Sequence, residues 1–150
     1  ETVNRVCDAV SIPVIGSGDM LSAEAAAHAL TETSVTAVMI ARGTYGNPWI
    51  FKNTQALVEG QPVLVPTFDQ MLASFMMHVR LLDAAHIHIA RARSLSTWYF
   101  RGIPNAAYWR GKSVRCVTAQ DFIDLALEIK ETVKQLEGEQ ESPEHNLLMS

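Results

Sequence analysis

The first part of the chain alternates short apolar runs with helical stretches. After a helical N-terminal segment, the run Ile12–Ile15 stops at the turn Gly16–Asp19, a pattern typical of a buried strand. Ser22 can cap a helix whose alanine-rich body extends to Leu30. A second buried strand is predicted at Thr36–Ile40. The order helix, strand, helix, strand indicates a parallel α/β sheet or barrel.

The second part of the chain shows helical spacing only. One more helix, Trp49–Val58, precedes a segment broken by glycine and proline, and we place a domain boundary near residues 60–66. Apolar residues after it recur every three or four positions, as in a helical bundle over 67–137. Four helices are predicted in this part of the chain. The first begins at Phe68, the second spans His86–Phe100 and the third spans Ala106–Val114. The last is capped by Thr118 and ends at Gly138. Residues 138–150 are polar and acidic, and we predict a disordered tail there.

The composition is that of an ordinary globular protein, with 48% hydrophobic and 19% charged residues. No stretch approaches the ~18 apolar residues of a membrane helix. The two cysteines, Cys7 and Cys116, form no CxxC motif, which favours a reduced cytoplasmic protein over a disulfide-bonded one. The chain starts without Met and inside a helical pattern, so we expect it to be part of a longer protein.

Charge is unevenly distributed along the chain. The net charge is −4, which by itself argues weakly against a nucleic-acid partner. Between residues 80 and 116, however, Asp83 is the only acid among seven basic residues, so this segment carries +6. The seven are Arg80, Arg91, Arg93, Arg101, Arg110, Lys112 and Arg115. A basic segment in an acidic protein is a local electrostatic feature that can attract an anionic partner.

Both predicted strands end in turns of small residues, Gly16–Asp19 and Ala41–Gly43. Glycine lets backbone N–H groups approach a ligand closely, and the N-terminus of the following helix favours an anion. Either turn alone is most simply a tight turn without a ligand. Together, at the spacing of one βα unit, they resemble the phosphate site of a (β/α)8 barrel.

Other candidate features favour structural interpretations. His86 and His88 are two residues apart and cannot share one helix face, so we predict no metal site. Trp98 and Tyr99 could stack on RNA bases, but we favour a place in the core for both.

Three linked motifs resemble the tRNA-dihydrouridine synthases, specifically the bacterial B type. They are Ile12–Asp19, Val38–Gly43 and Gly46–Phe51. The similarity continues through Arg93 and Trp98–Pro104 and covers about residues 5–137. The resemblance implies the last βα units of a TIM (β/α)8 barrel over residues 1–60, followed by a helical tRNA-binding domain.

The resemblance also implies site residues. FMN phosphate is expected at Ser17, Gly18, Asp19, Ala41 and Arg42. Here Ser17 replaces the family's usual Asn and Ala41 its usual Gly, and both replacements are small. The residues expected to bind RNA are Arg91, Arg93, Arg101, Arg110 and Lys112. Where the family often has Arg-Lys-His, this chain has Arg93-Ser94-Leu95.

Members of this family reduce the C5–C6 double bond of uridine in tRNA, using NADPH, FMN and a cysteine as general acid. Neither Cys7 nor Cys116 matches that cysteine, so we predict no catalytic residue here and expect the chain alone to be inactive. Two alternatives stay open: a stand-alone RNA-binding helical module, and another FMN- or phosphate-binding barrel. The Asn47–Phe51 run argues against the second alternative.

Overall fold

The computed structural model describes residues 2–140, with side chains described through residue 138. The chain forms two compact units, Glu1–Pro66 and Thr67–Ser150. Within the described residues the structure is mostly helical, with one small parallel sheet. The assignment of the first unit to a barrel and of the second to tRNA binding stays a prediction.

The first unit is built around a parallel pair of very short strands. Its elements are α1 (Thr2–Ala9), β1 (Ile15–Gly16), α2 (Ala23–Glu32), β2 (Ala37–Val38), a 3₁₀ turn (Arg42–Thr44) and α3 (Ile50–Val58). Ile15 pairs with Ala37, and Gly16 pairs with Val38. Backbone hydrogen bonds extend the pairing on both sides, from Thr36 N to the carbonyl of residue 14 (2.9 Å) and from residue 39 N to the Gly16 carbonyl (2.8 Å).

The two strands are shorter and more exposed than their apolar sequences predict. Ile12 and Ile15 are 71% and 66% exposed, so the prediction of a buried first strand is wrong for the described residues. Parallel strands normally lie within a larger sheet that is covered on both faces, whereas among the described residues each of these two strands has only the other as a neighbour. Burial in this unit is concentrated instead where α2 packs against α3. The buried residues there are Ala23, Ala26, Ala27, Ile50 and Thr54.

The described part of the second unit contains four helices around one aromatic core. They are α4 (Phe68–Ala84), α5 (Arg91–Tyr99), α6 (Ala106–Ser113) and α7 (Ala119–Gln140). Phe75 is fully buried at the centre. Its ring centroid lies 5.5 Å from that of Tyr99, 4.9 Å from that of Phe100 and 6.4 Å from that of Phe122. These tilted contacts join α4, α5 and α7, and such aromatic pairs add to the free energy gained from burial alone.

Two helix boundaries differ from the sequence prediction. The second helix of this unit starts at Arg91, not at His86, because His86 has a left-handed φ of 54° that a continuous helix excludes. The final helix does not stop at Gly138 but continues to Gln140, so the predicted tail begins too early. Residues 141–150, the rest of that tail, lie outside the described residues.

Helix starts follow the capping chemistry of the sequence. The Ser22 hydroxyl accepts a hydrogen bond from Ala25 N (3.2 Å), and the Thr118 hydroxyl accepts one from Asp121 N (3.1 Å). Both predicted caps are therefore confirmed. Asp121 completes the start of α7, because its carboxylate accepts from Val117 N (2.8 Å) and Thr118 N (2.9 Å). These two backbone donors, with the Thr118 hydroxyl, hold the pKa of Asp121 below its ordinary value of 3.8.

We expect Asp121→Asn to destabilise the second unit at neutral pH by weakening the start of α7. A carboxyl whose pKa is lowered in the folded state adds stability above its unfolded pKa, and this is lost as pH falls through the folded value. The difference in melting temperature between wild type and variant, measured by circular dichroism, should therefore shrink as the pH falls below about 4, the pKa of Asp in unfolded chains. Asp124→Asn is the control, because the Asp124 carboxylate accepts from the Gln120 side chain and caps no helix end. Equal destabilisation by both variants at pH 7 would contradict the assignment.

Candidate phosphate site and RNA-facing surface

The loops that follow β1 and β2 lie side by side. Because the strands are parallel neighbours, their carboxyl ends meet at the same edge of the sheet. The two loops border one open depression of about 250 Å³. Its lining residues are Ser17, Gly18, Asp19, Met20, Leu21, Met39, Ala41 and Arg42. The five residues expected at an FMN phosphate are thus all brought to one place.

An exposed ion pair joins the two loops. Arg42 donates through Nη2 to the carboxylate of Asp19, across 23 residues of chain. The two side chains are 64% and 80% exposed. Exposed pairs of this kind contribute only about 0–1 kcal/mol, so an incoming anion can compete for the guanidinium at little cost.

The backbone of the first loop is shaped for close approach of an anion. Gly18 has a φ of 141° and Asp19 a φ of 43°, so two successive residues have the positive φ that glycine tolerates best. Among the described residues, no hydrogen bond uses the backbone N–H of Gly18 or of Asp19. Unpaired donors beside a fixed positive charge fit a phosphate group. Ala41 has a φ of −106°, so its backbone does not require the family's usual glycine.

Gly43 is a site residue whose role the sequence did not reveal. It is buried, and a Cβ atom there would lie 2.2 Å from the Met20 carbonyl oxygen and 2.8 Å from Ile50 Cδ1. Gly43 therefore lets the second loop pack directly against the backbone of the first. The sequence shows that Gly43 lies in a turn of small residues. It does not show that the Met20 carbonyl, 23 residues earlier, packs against this position.

The residues expected to bind RNA have different environments. Arg91 and Arg101 are exposed. Arg93 is half-buried and donates through Nη2 to the Cys116 carbonyl (3.1 Å), and among the described residues its buried Nε has no hydrogen-bond partner. Arg93 is therefore engaged in an internal hydrogen bond, whereas Arg91 and Arg101 are exposed to solvent.

Two expected RNA-binding residues lie on α6 and are half-buried, Arg110 and Lys112. Lys112 Nζ contacts both carboxylate oxygens of Glu128 at 2.6 Å. The hydrogen bond to Glu128 raises the pKa of Lys112 above its ordinary value. The ammonium charge is therefore already balanced by an acidic partner on α7.

The aromatic residues of this region fall into two groups. Tyr99 is 3% exposed, which confirms its predicted place in the core. Trp109 is also buried, and its Nε1 donates to the Pro104 carbonyl (3.0 Å). Trp98 was predicted in the core but is 36% exposed, and the guanidinium carbon of Arg101 lies 4.7 Å from its ring centroid.

Both cysteines and two exposed histidines were considered as chemical groups from the sequence. Cys7 and Cys116 are both free, and burial raises the pKa of the Cys116 thiol. His86 and His88 are exposed. Within residues 2–138, no group of three or more His, Cys, Asp or Glu side chains could hold a metal ion. No described helix is both long enough and apolar enough to span a membrane.

The family model described as dihydrouridine synthase (Dus) matches residues 1–136, so it covers both units. The chain belongs to the dihydrouridine synthase family.

Individual relatives agree with the family model. The tRNA-dihydrouridine synthase B of Pasteurella multocida is 34% identical over 113 residues, covering 72% of this chain and 34% of the relative. That of Pseudomonas aeruginosa is 30% identical over 133 residues, covering 81% and 40%. The probable tRNA-dihydrouridine synthase 1 of Synechocystis is 30% identical over 135 residues, covering 88% and 38%. The chain thus spans between a third and two-fifths of the length of these relatives.

Gly43→Ala should destabilise the first unit by about 1–3 kcal/mol, because the added methyl group has to displace the Met20 carbonyl. Hydrogen exchange measured by mass spectrometry should become faster in both loops. Gly111→Ala is the matched control, since a Cβ atom at this exposed position on α6 meets nothing within 4 Å. Alanine there should be neutral or stabilise by up to about 1 kcal/mol. If the two variants behave alike, the close contact at Gly43 is not the constraint inferred here.

Proposed function

We propose that the chain is the C-terminal part of a flavin-dependent tRNA-dihydrouridine synthase, which reduces uridine in tRNA to 5,6-dihydrouridine with NADPH as reductant. The observation that carries the proposal is the convergence of two strand-end loops on one depression beside Arg42. This depression lies in a chain whose family match continues through the helical unit. Such a reaction on tRNA takes place in the cytoplasm.

The first unit would hold the phosphate end of FMN. Arg42 supplies a positive charge, and the backbone N–H groups of Gly18 and Asp19 supply donors, while Ser17 and Ala41 are small enough to leave room. When bound, FMN supplies the hydride for the reduction. In this arrangement Arg42 exchanges the Asp19 carboxylate for the phosphate, and its exposed pair makes that exchange inexpensive.

The proton that uridine also needs would come from a group outside these two units. Cys116 is buried in the core of the second unit, whereas Cys7 is half-buried on α1. Neither thiol lies among the residues that line the phosphate depression. We therefore expect this chain by itself to bind parts of the cofactor and substrate but not to reduce uridine.

The second unit would bind tRNA through its basic segment. The exposed side chains of Arg91 and Arg101 can reach phosphates, and the local charge of +6 attracts an anionic polymer. Arg110 and Lys112 would contribute less, because both are half-buried and Lys112 is paired with Glu128. The family match over both units favours this proposal over a stand-alone helical module and over an unrelated phosphate-binding barrel.

Replacing Arg42 by Met in the complete protein should weaken FMN binding by about 10- to 100-fold, the range expected for one lost charge-assisted hydrogen bond. Binding of riboflavin, which lacks the phosphate, should hardly change. Flavin fluorescence titration measures both affinities. Arg5→Met is the matched control, because Arg5 is an exposed arginine on α1 that does not line the depression. An equal loss for FMN and riboflavin would show that Arg42 does not read the phosphate.

A bacterial strain that lacks the complete gene should contain tRNA with dihydrouridine missing at specific positions, and the gene should restore them. Restoration by a gene carrying Arg91→Glu should be incomplete, because the change places a negative charge on the exposed face of α5. Lys134→Glu makes the same change of charge on α7, outside the basic segment, and should restore dihydrouridine fully. Mass spectrometry of digested tRNA gives the readout. Unchanged dihydrouridine in the deletion strain would refute the proposed function.

A further inference from the structure

We propose that Arg101, held over the indole of Trp98, forms a stacking platform for one unpaired base of the bound RNA. The inference rests on the proposed function, in which the second unit faces tRNA, and adds a base-contacting site to it. The inference starts from the contact between Arg101 and Trp98. Among the described residues, Arg101 is the only arginine whose guanidinium lies over an aromatic ring.

The platform lies on the same face of α5 as another arginine. Arg91 and Trp98 are seven residues apart, which is two helical turns, and both are exposed. Arg101 follows just after the end of α5, where its backbone N–H donates to the Trp98 carbonyl (3.3 Å). This turn brings the guanidinium carbon to 4.7 Å from the indole centroid. The guanidinium therefore lies over the indole, while Arg101 as a residue is exposed to solvent.

A second cation beside aromatic rings in the same unit has a different environment. Lys112 Nζ is 5.8 Å from the ring centroids of both Tyr108 and Trp109, but it is bonded to both oxygens of Glu128. Arg101 forms no ion pair with a carboxylate among residues 2–138, whose side chains the structure describes. The charge that remains available to a ligand is therefore the one above Trp98.

The chemistry of the platform favours a base over a phosphate alone. A guanidinium is flat and weakly hydrated, and it stacks on aromatic rings from either side. An unpaired RNA base offers such a ring, and stacking between arginine and bases is a common mode of RNA recognition. A phosphate would need only the charge, which lysine also carries. Lysine at position 101 keeps the positive charge but lacks the flat guanidinium. An Arg101→Lys variant therefore distinguishes base stacking from phosphate binding.

Arg101→Lys in the complete protein should lower the affinity for an unmodified tRNA transcript and for single-stranded oligouridylate by about tenfold, the effect of one lost stacking contact. Affinity for blunt duplex RNA of the same length should change less than about twofold, since paired bases are not accessible. The slope of log Kd against log salt should stay the same, because the number of charges is unchanged. Trp98→Leu should likewise lose affinity for tRNA and oligouridylate but not for duplex RNA. Circular dichroism first verifies that this variant keeps its helix content.

Arg5→Lys is the matched control, because Arg5 is exposed on α1, lies outside the basic segment, and has no aromatic ring recorded beneath it among the described residues. It should leave all three affinities within about twofold. If Arg101→Glu weakens tRNA binding while Arg101→Lys does not, Arg101 contacts phosphate only and the stacking inference is overturned, although the proposed function stands. If neither Arg91→Glu nor Arg101→Glu affects tRNA binding, this surface does not face RNA, and the failure lies in the proposed function.

Discussion

The parallel pairing of β1 (Ile15–Gly16) with β2 (Ala37–Val38) is the constraint on which the candidate phosphate site depends. Only two residue pairs are in register, yet they bring both strand ends to one edge. Asp19 and Arg42 can then meet across 23 residues of chain. Gly43 completes the contact, because the absence of a side chain lets its loop reach the Met20 carbonyl. The site thus arises from backbone geometry, to which Arg42 adds a charge.

In the helical unit, the function of each basic residue depends on what lies beside it. Arg93 is directed inward, where its bond to the Cys116 carbonyl links α5 to the turn before α7. Lys112 is balanced by Glu128. Arg91 and Arg101 face solvent, and Arg101 also covers Trp98. A segment that looks uniformly basic therefore divides into structural and exposed cations, and only the exposed ones can bind RNA without first losing a partner.

Local chemistry accounts for the parts of the fold that sequence reasoning predicted well. The caps at Ser22 and Thr118 were predictable because each hydroxyl bonds a backbone N–H only three residues away. The start of α5 was not, because the apolar spacing continues through residues 86–90 while the left-handed φ of His86 interrupts the helix. Burial of Ile15 was also mispredicted, because an apolar strand is covered only when other elements pack on it.

The sequence by itself determined the family, the order of the helices and strands, and the two loops that contain the residues proposed to bind phosphate. These properties depend on neighbouring residues and on motifs a few positions long. Tertiary structure alone decided that Arg93 is used internally, that Trp98 lies beneath Arg101 outside the core, and that position 43 has no space for a side chain. Each of these depends on contact distances of a few ångströms set by the packing of whole elements, which hydrophobic periodicity and charge do not encode.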